Sequence, residues 1–121
     1  MNIIINDISL PLTILQKKSQ LEKGLKGKTS ISGCYLFMLN RNNGDKDDEH
    51  SFWMKGTLIS LDIVFCDNNQ ILKIFHNCPP CDHNNCIQYS NPGNVVLEFE
   101  GGFCEKNGIV EGDTFQLNTI F

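Results

Sequence analysis

Alanine is absent from this chain, arginine occurs once, at Arg41, and tryptophan once, at Trp53. Asn, Ile, Lys and Phe are frequent instead, the bias that AT-rich codons produce. We therefore expect a low-GC genome, bacterial or viral, and a coding sequence of ordinary GC content would contradict this. Positive charge is scarce as well: 10 Lys and Arg stand against 14 Asp and Glu, a formal net charge of −4. No basic stripe is left to neutralise a phosphate backbone, so no nucleic-acid partner is expected. No apolar run approaches a membrane span, and the start MNIIINDISL lacks a basic region followed by a sustained apolar stretch, so the expectation is no membrane association and a cytoplasmic location.

Repeats and low-complexity tracts are missing too. With 40% hydrophobic and 20% charged residues in 121 positions, the chain suits one soluble, monomeric domain, 1–121, with a single core. No G-x-S-x-G elbow, Walker loop or Rossmann glycine pattern occurs; Gly101-Gly102 follows an apolar run but lacks the remaining glycines. No cofactor is expected.

What is present reads as short strands. The β-rich runs 3–5 and 10–14 flank the turn-prone pair Asn6-Asp7, a hairpin signal. In 16–25, Leu21 and Leu25 lie one turn apart while Lys17, Lys18, Glu22 and Lys23 face water, which predicts a short helix weakened at Gly24 and ended by Gly27. Residues 33–39 form an apolar run bounded by Gly33 and Asn40, a buried strand. The polar stretch RNNGDKDDEH that follows predicts a surface loop to His50; its acids Asp45, Asp47, Asp48 and Glu49 lack the ligand order and flanking helices of a calcium-binding hand.

Two strands, Leu61–Asp67 and 70–76, flank Asn68-Asn69, whose tolerance of positive φ suits a hairpin. Strict alternation puts Leu61, Ile63 and Phe65 on one face, and sets Ile71 and Phe75 against Leu72, Ile74 and His76 on the partner. Residues 77–94 read as a Pro-, Cys- and Asn-rich loop, Val95–Glu100 as a strand, 103–107 as a helical turn, and 114–118 as a closing strand. The expected fold is mainly β: a compact, jelly-roll-like β-sandwich or barrel with one or two short helices.

The densest chemistry lies in 51–65, SFWMKGTLISLDIVF. Trp53, Lys55, Thr57 and Asp62 converge within ten positions, and Gly56-Thr57 lets the backbone turn between Lys55 and Leu58. Asp62 sits between Leu61 and Ile63, so once buried it needs a cation or several donors, and Lys55 is the nearest cation in sequence. The bland alternative packs Phe52 and Met54 into the core and leaves Lys55 and Asp62 as a structural ion pair. Glu98 and Glu100 alternate with Leu97 and Phe99, which admits a paired-carboxylate enzyme.

A second cluster, HNCPPCDHNNC, holds His76, Cys78, Cys81, His83 and Cys86. Four readings stay open: a soft-metal site from Cys78, Cys81, His83 and Cys86, a Cys78–Cys81 redox pair without the helix such chemistry uses, a loop-stapling disulfide, and plain thiols. Cys34, Cys66 and Cys104 stand in apolar contexts, as small buried hydrophobes.

These residues also carry a resemblance. Gly24-Leu25 through Lys28, the 36–39 strand, FWMK-x-T-L-I-x-L-D at 52–62, Pro80-Cys81 through Cys86 and Tyr89, Val96-Leu97-Glu98, Gly102, and Gly108-Ile109 with Gly112-Asp113 together resemble the uncharacterised family called domain of unknown function 192. The resemblance spans nearly the full chain. It implies a compact jelly-roll β-sandwich, supplies no activity, and favours a Cys81–Cys86 pair over a three-cysteine metal site. Gly56 stands where the family usually has Asn, Ser60 where it has Pro, and Glu100-Gly101 where it has Asn-Ala.

The leading functional expectation is a binding module whose pocket, lined by Trp53, Lys55, Thr57, Asp62 and Glu98, holds a small polar ligand such as a sugar. The alternatives are an enzyme using Asp62 or Glu98 as a base tuned by Lys55, and a metal- or thiol-dependent protein using the 78–86 loop.

Overall fold

The computed structural model describes residues 1–39 and 49–118. Along the chain run β1 (Asn2–Ile5), β2 (Ile8–Leu15), α1 (Lys18–Lys23), β3 (Cys34–Met38), β4 (Glu49–Phe52), β5 (Leu61–Asp67), β6 (Gln70–Cys78), β7 (Tyr89–Pro92), β8 (Val95–Glu100), α2 (Phe103–Lys106) and β9 (Gln116–Asn118). The mainly β expectation with one or two short helices holds. Seven strands form one curled, half-barrel sheet in the order β6-β5-β8-β3-β2-β1-β9, and β4 and β7 pair in a small second sheet.

The turns follow from their side chains. Asn6 and Asp7 both take positive φ, 48° and 65°, so a two-residue turn joins β1 to β2 with Ile5 opposite Ile8. Asn68, at φ 52°, does the same for β5 and β6. In α1 the Gln20 side chain accepts the N–H groups of Gln16 and Lys17, and Gly24, at φ 52°, ends the helix. Gly24 is thus a terminator, not an interior weakness.

Strict alternation fails on β6. Cys66 pairs with Ile71 but Phe65 with Lys73, so Leu72 is an extra, bulged residue and Ile71 and Ile74 face the same core. The polar stretch 40–48 lies outside the described residues, and so does the calcium reading of Asp45, Asp47 and Asp48. Glu49 and His50, expected in that loop, open β4 instead. Within the expected loop 77–94, β6 runs on to Cys78 and Tyr89–Pro92 forms β7.

The curled sheet has a core on each face. Ile3, Ile5, Leu36, Val64, Leu97 and Phe99 fill the inside of the curl; Leu25, Phe37, Met54, Ile63, Phe65 and Val96 fill the other side, beneath α1 and the small sheet. β5 lies between both, so six consecutive residues from Leu61 are buried. Phe52 of β4 wedges edge-on between Phe37 and Phe65, with ring centroids 5.2 and 5.7 Å away, and Tyr89 of β7 meets Phe75 at 5.3 Å. These contacts pin the small sheet over the large one.

Candidate functional site

After β4 the chain passes through Trp53 and Met54 and turns at Gly56, whose φ of +79° suits Gly and is tolerated by Asn, the residue usual there in the resembling family. The turn is held from two sides: Gly56 N–H donates to the Cys81 carbonyl at 2.9 Å, and Gly27 N–H donates to the Gly56 carbonyl at 3.0 Å. Trp53 is left 40% exposed. Lys55 stands over its ring, 5.6 Å from the centroid, and donates to Asn84 Oδ1 at 2.6 Å.

The expected Lys55–Asp62 pair is not formed. Asp62 is fully buried, and its carboxylate accepts the backbone N–H groups of Asn77 (2.8 Å), Gly102 (3.0 Å) and Cys104 (2.8 Å). Three aligned donors replace the water a buried carboxylate loses, and no cation is needed. Asn77 at φ 50° and Gly102 at φ 91° are the backbone conformations that aim two of those N–H groups inward. Asp62 therefore ties β5, the end of β6 and the start of α2 together, and its acceptor sites are taken up by the fold and turned away from any ligand.

Register separates Asp62 from Glu98. On β8, Phe99 pairs with Asp62 and Glu98 with Ile63, so the two carboxyls project from opposite faces of the sheet. Glu98 also pairs with Tyr35 on β3 and lines a cleft of about 350 Å³ between the sheet, α1 and β4. Its other walls include Trp53, Thr57, His50 and Phe52, with Lys23 and Lys26 on the α1 side. Of the five expected pocket residues, Trp53, Thr57 and Glu98 meet in this cleft, and Lys55 and Asp62 do not line it.

Glu98 is only 5% exposed, and among the described residues no hydrogen bond or ion pair reaches its carboxyl. Burial pushes its acid up to about 8, so at neutral pH the group is mostly protonated and can both donate and accept. His50 adds an unsatisfied group, its Nε2 buried without a partner among the described residues. Sequence reasoning placed His50 in a loop; the signal that could have found it is the alternation of His50 and Phe52 with the polar Glu49 and Ser51, a strand period of two in EHSF.

The cysteine loop folds as a separate feature. Cys81 and Cys86 form a disulfide with Cα atoms 6.0 Å apart. Cys78 is not with them: it is buried among Leu61, Ile63 and Phe65, with its thiol pushed up to about 11, chiefly by burial. The four-ligand metal set of Cys78, Cys81, His83 and Cys86 therefore does not assemble, nor does the Cys78–Cys81 redox pair. Cys34, Cys66 and Cys104 are buried as expected, and burial raises all three thiols, with the Asp62 carboxylate adding to the rise at Cys104.

The same architecture occurs elsewhere. A crystal structure of a protein of unknown function from Novosphingobium aromaticivorans DSM 12444 superposes with a TM-score of 0.78 at 25% identity, covering 96% of this chain and 84% of that one. A protein from Sinorhizobium meliloti 1021, put forward as a transcription regulator, gives 0.77 at 24% identity over 95% and 89%, a likeness of fold alone. No curated protein matches the chain. The family model for DUF192, described as an uncharacterized ACR, matches residues 3–117.

Proposed function

The chain belongs to the DUF192 family, and from that premise we propose that it is a binding module whose Glu98 cleft takes a small, hydroxyl-bearing ligand such as a sugar. One observation carries the reading: a buried, unpartnered carboxyl at the wall of a 350 Å³ cleft that also presents an exposed Trp. That volume falls in the range of small-molecule sites. The Glu98 carboxyl opens onto this cleft with little other solvent around it, so a ligand hydroxyl would supply the hydrogen bond that the fold does not. Trp53 offers the flat apolar surface on which a sugar ring stacks. Nucleic acid is not proposed as a partner, since the net charge of −4 gives no counterion release to exploit.

Because Trp53 is the sole tryptophan, its fluorescence reports on the cleft without ambiguity. Titration with a panel of mono- and disaccharides is expected to give a saturable shift for at least one, with affinity about tenfold weaker in Glu98→Ala, equivalent to ~1.4 kcal/mol. A flat response across the panel to about 10 mM, or equal affinity in Glu98→Ala, contradicts the reading.

A second reading follows from the value of about 8 at Glu98, close to where a proton-transferring group works best. In that case Glu98 acts as the acid or base of an enzyme, with His50 and not Lys55 lining the same cleft. Following the bound sugar by NMR separates the two: unchanged ligand means binding, and a new anomeric signal means turnover.

A further inference from the structure

The 81–86 loop brings together three groups the cleft does not use. Cys81 Sγ, Cys86 Sγ and a His83 ring nitrogen all lie within 4.8 Å of one another. The hydrogen bonds around His83 decide what they can do. The Asn85 backbone N–H donates to Nδ1 at 3.1 Å, so the neutral ring carries its proton on Nε2, which lies 3.5 Å from Cys81 Sγ. A metal at Nε2 would need the opposite tautomer and would break the Asn85 bond. A thiolate at Cys81 needs the tautomer that is there.

The two sulfurs are also unequal. Cys81 is partly exposed, whereas Cys86 is 8% exposed and lies 3.1 Å from the His83 carbonyl oxygen, the acceptor that a reduced Cys86 S–H would meet. The other four cysteines are buried as well, so Cys81 is the cysteine sulfur within reach of solvent.

We propose that Cys81 and Cys86 form a reversible thiol–disulfide exchange site for low-molecular-weight thiols of the glutathione class, with Cys81 as nucleophile, Cys86 as resolving thiol and His83 Nε2–H holding the Cys81 thiolate. In the oxidising direction the Cys81 thiolate attacks glutathione disulfide; the Cys81–glutathione bond forms, the glutathione S–S bond breaks, and the expelled glutathione thiolate takes up a proton. Cys86 then gives up its proton and attacks Cys81 Sγ, forming the protein disulfide and releasing the second glutathione. Two electrons pass from the protein dithiol to glutathione disulfide, and excess reduced glutathione runs the steps backwards. Exchange also reaches the cleft wall, because the Cys81 carbonyl holds the Gly56 turn between Trp53 and Thr57.

The test uses the full chain under native conditions, reduced with dithiothreitol and then exposed to glutathione disulfide. Cys86→Ser is expected to accumulate one glutathione, on Cys81, and Cys81→Ser to accumulate about tenfold less on Cys86. In the reduced wild type, which needs no folded variant, iodoacetamide should label Cys81 about tenfold faster than Cys86, and His83→Ala should remove that advantage without slowing Cys86. Equal labelling of the two, an advantage unchanged in His83→Ala, or a disulfide that stays closed in folded protein under excess reduced glutathione overturns the proposal.

Discussion

Asp62 and Glu98 are both carboxyls, both buried, and one lateral step apart on adjacent strands, yet they do opposite things. Asp62 faces the inside of the curl and meets three backbone N–H groups. Glu98 faces the other core and meets none. What differs is the backbone each one faces. The positive-φ residues Asn77 and Gly102 bend two chain segments so that their N–H groups point at Asp62, whereas regular ladders beside Glu98 spend their N–H groups on each other. A carboxyl with a full set of donors is a structural tie. A buried one without any is energetically unfavourable unless something else uses it.

Substitution should separate the two most sharply. Asp62→Ala orphans three N–H donors, that of Cys104 in the core, and should cost about 3 to 5 kcal/mol, read as a large fall in midpoint on thermal or denaturant unfolding at neutral pH. Glu98→Gln, which keeps the shape and the capacity to donate and accept, should cost little near pH 4.5 and exceed the wild type in stability above pH 8. An Asp62→Ala chain as stable as wild type would remove the structural half of the contrast.

The next effect in size is a pH dependence. In the unfolded chain Glu98 releases its proton near 4.5, while the folded chain holds it to about 8. Between those values the folded state binds more protons, so raising the pH weakens folding. The contribution is fully present below about 4.5 and is lost as pH climbs through about 8, on the order of 5 kcal/mol in total. Comparing urea midpoints of wild type and Glu98→Gln across that window isolates it: the wild type should decline relative to the variant. Parallel curves would mean Glu98 is solvated or paired.

Much of the sheet was legible from side chains, because Asn6-Asp7 and Asn68-Asn69 announce tight turns and β5, β8 and β3 are apolar beyond what a loop tolerates. β4 and β7 were not, since EHSF and YSNP carry one or two anchoring rings each and depend on Phe37, Phe65 and Phe75 to hold them. The Leu72 bulge has no local signature. Within the site, Trp53, Thr57 and Glu98 were recognisable as candidates, but alternation along β5 cannot reveal that Ile63, and not Asp62, lies opposite Glu98. Register between strands distant in sequence settles that, and it is set by both cores together. Lys55 was paired with Asp62 on nearness in sequence, whereas the fold offers it Asn84 and the Trp53 ring.

The central claim is that Glu98 is an acid held protonated by its surroundings and free for a ligand. The direct measurement is the carbon NMR titration of its side-chain carboxyl in the ligand-free protein, assigned by its loss in Glu98→Gln. A midpoint near 8 is the predicted result, and a midpoint near the ordinary 4.5 of a solvated glutamate would contradict it.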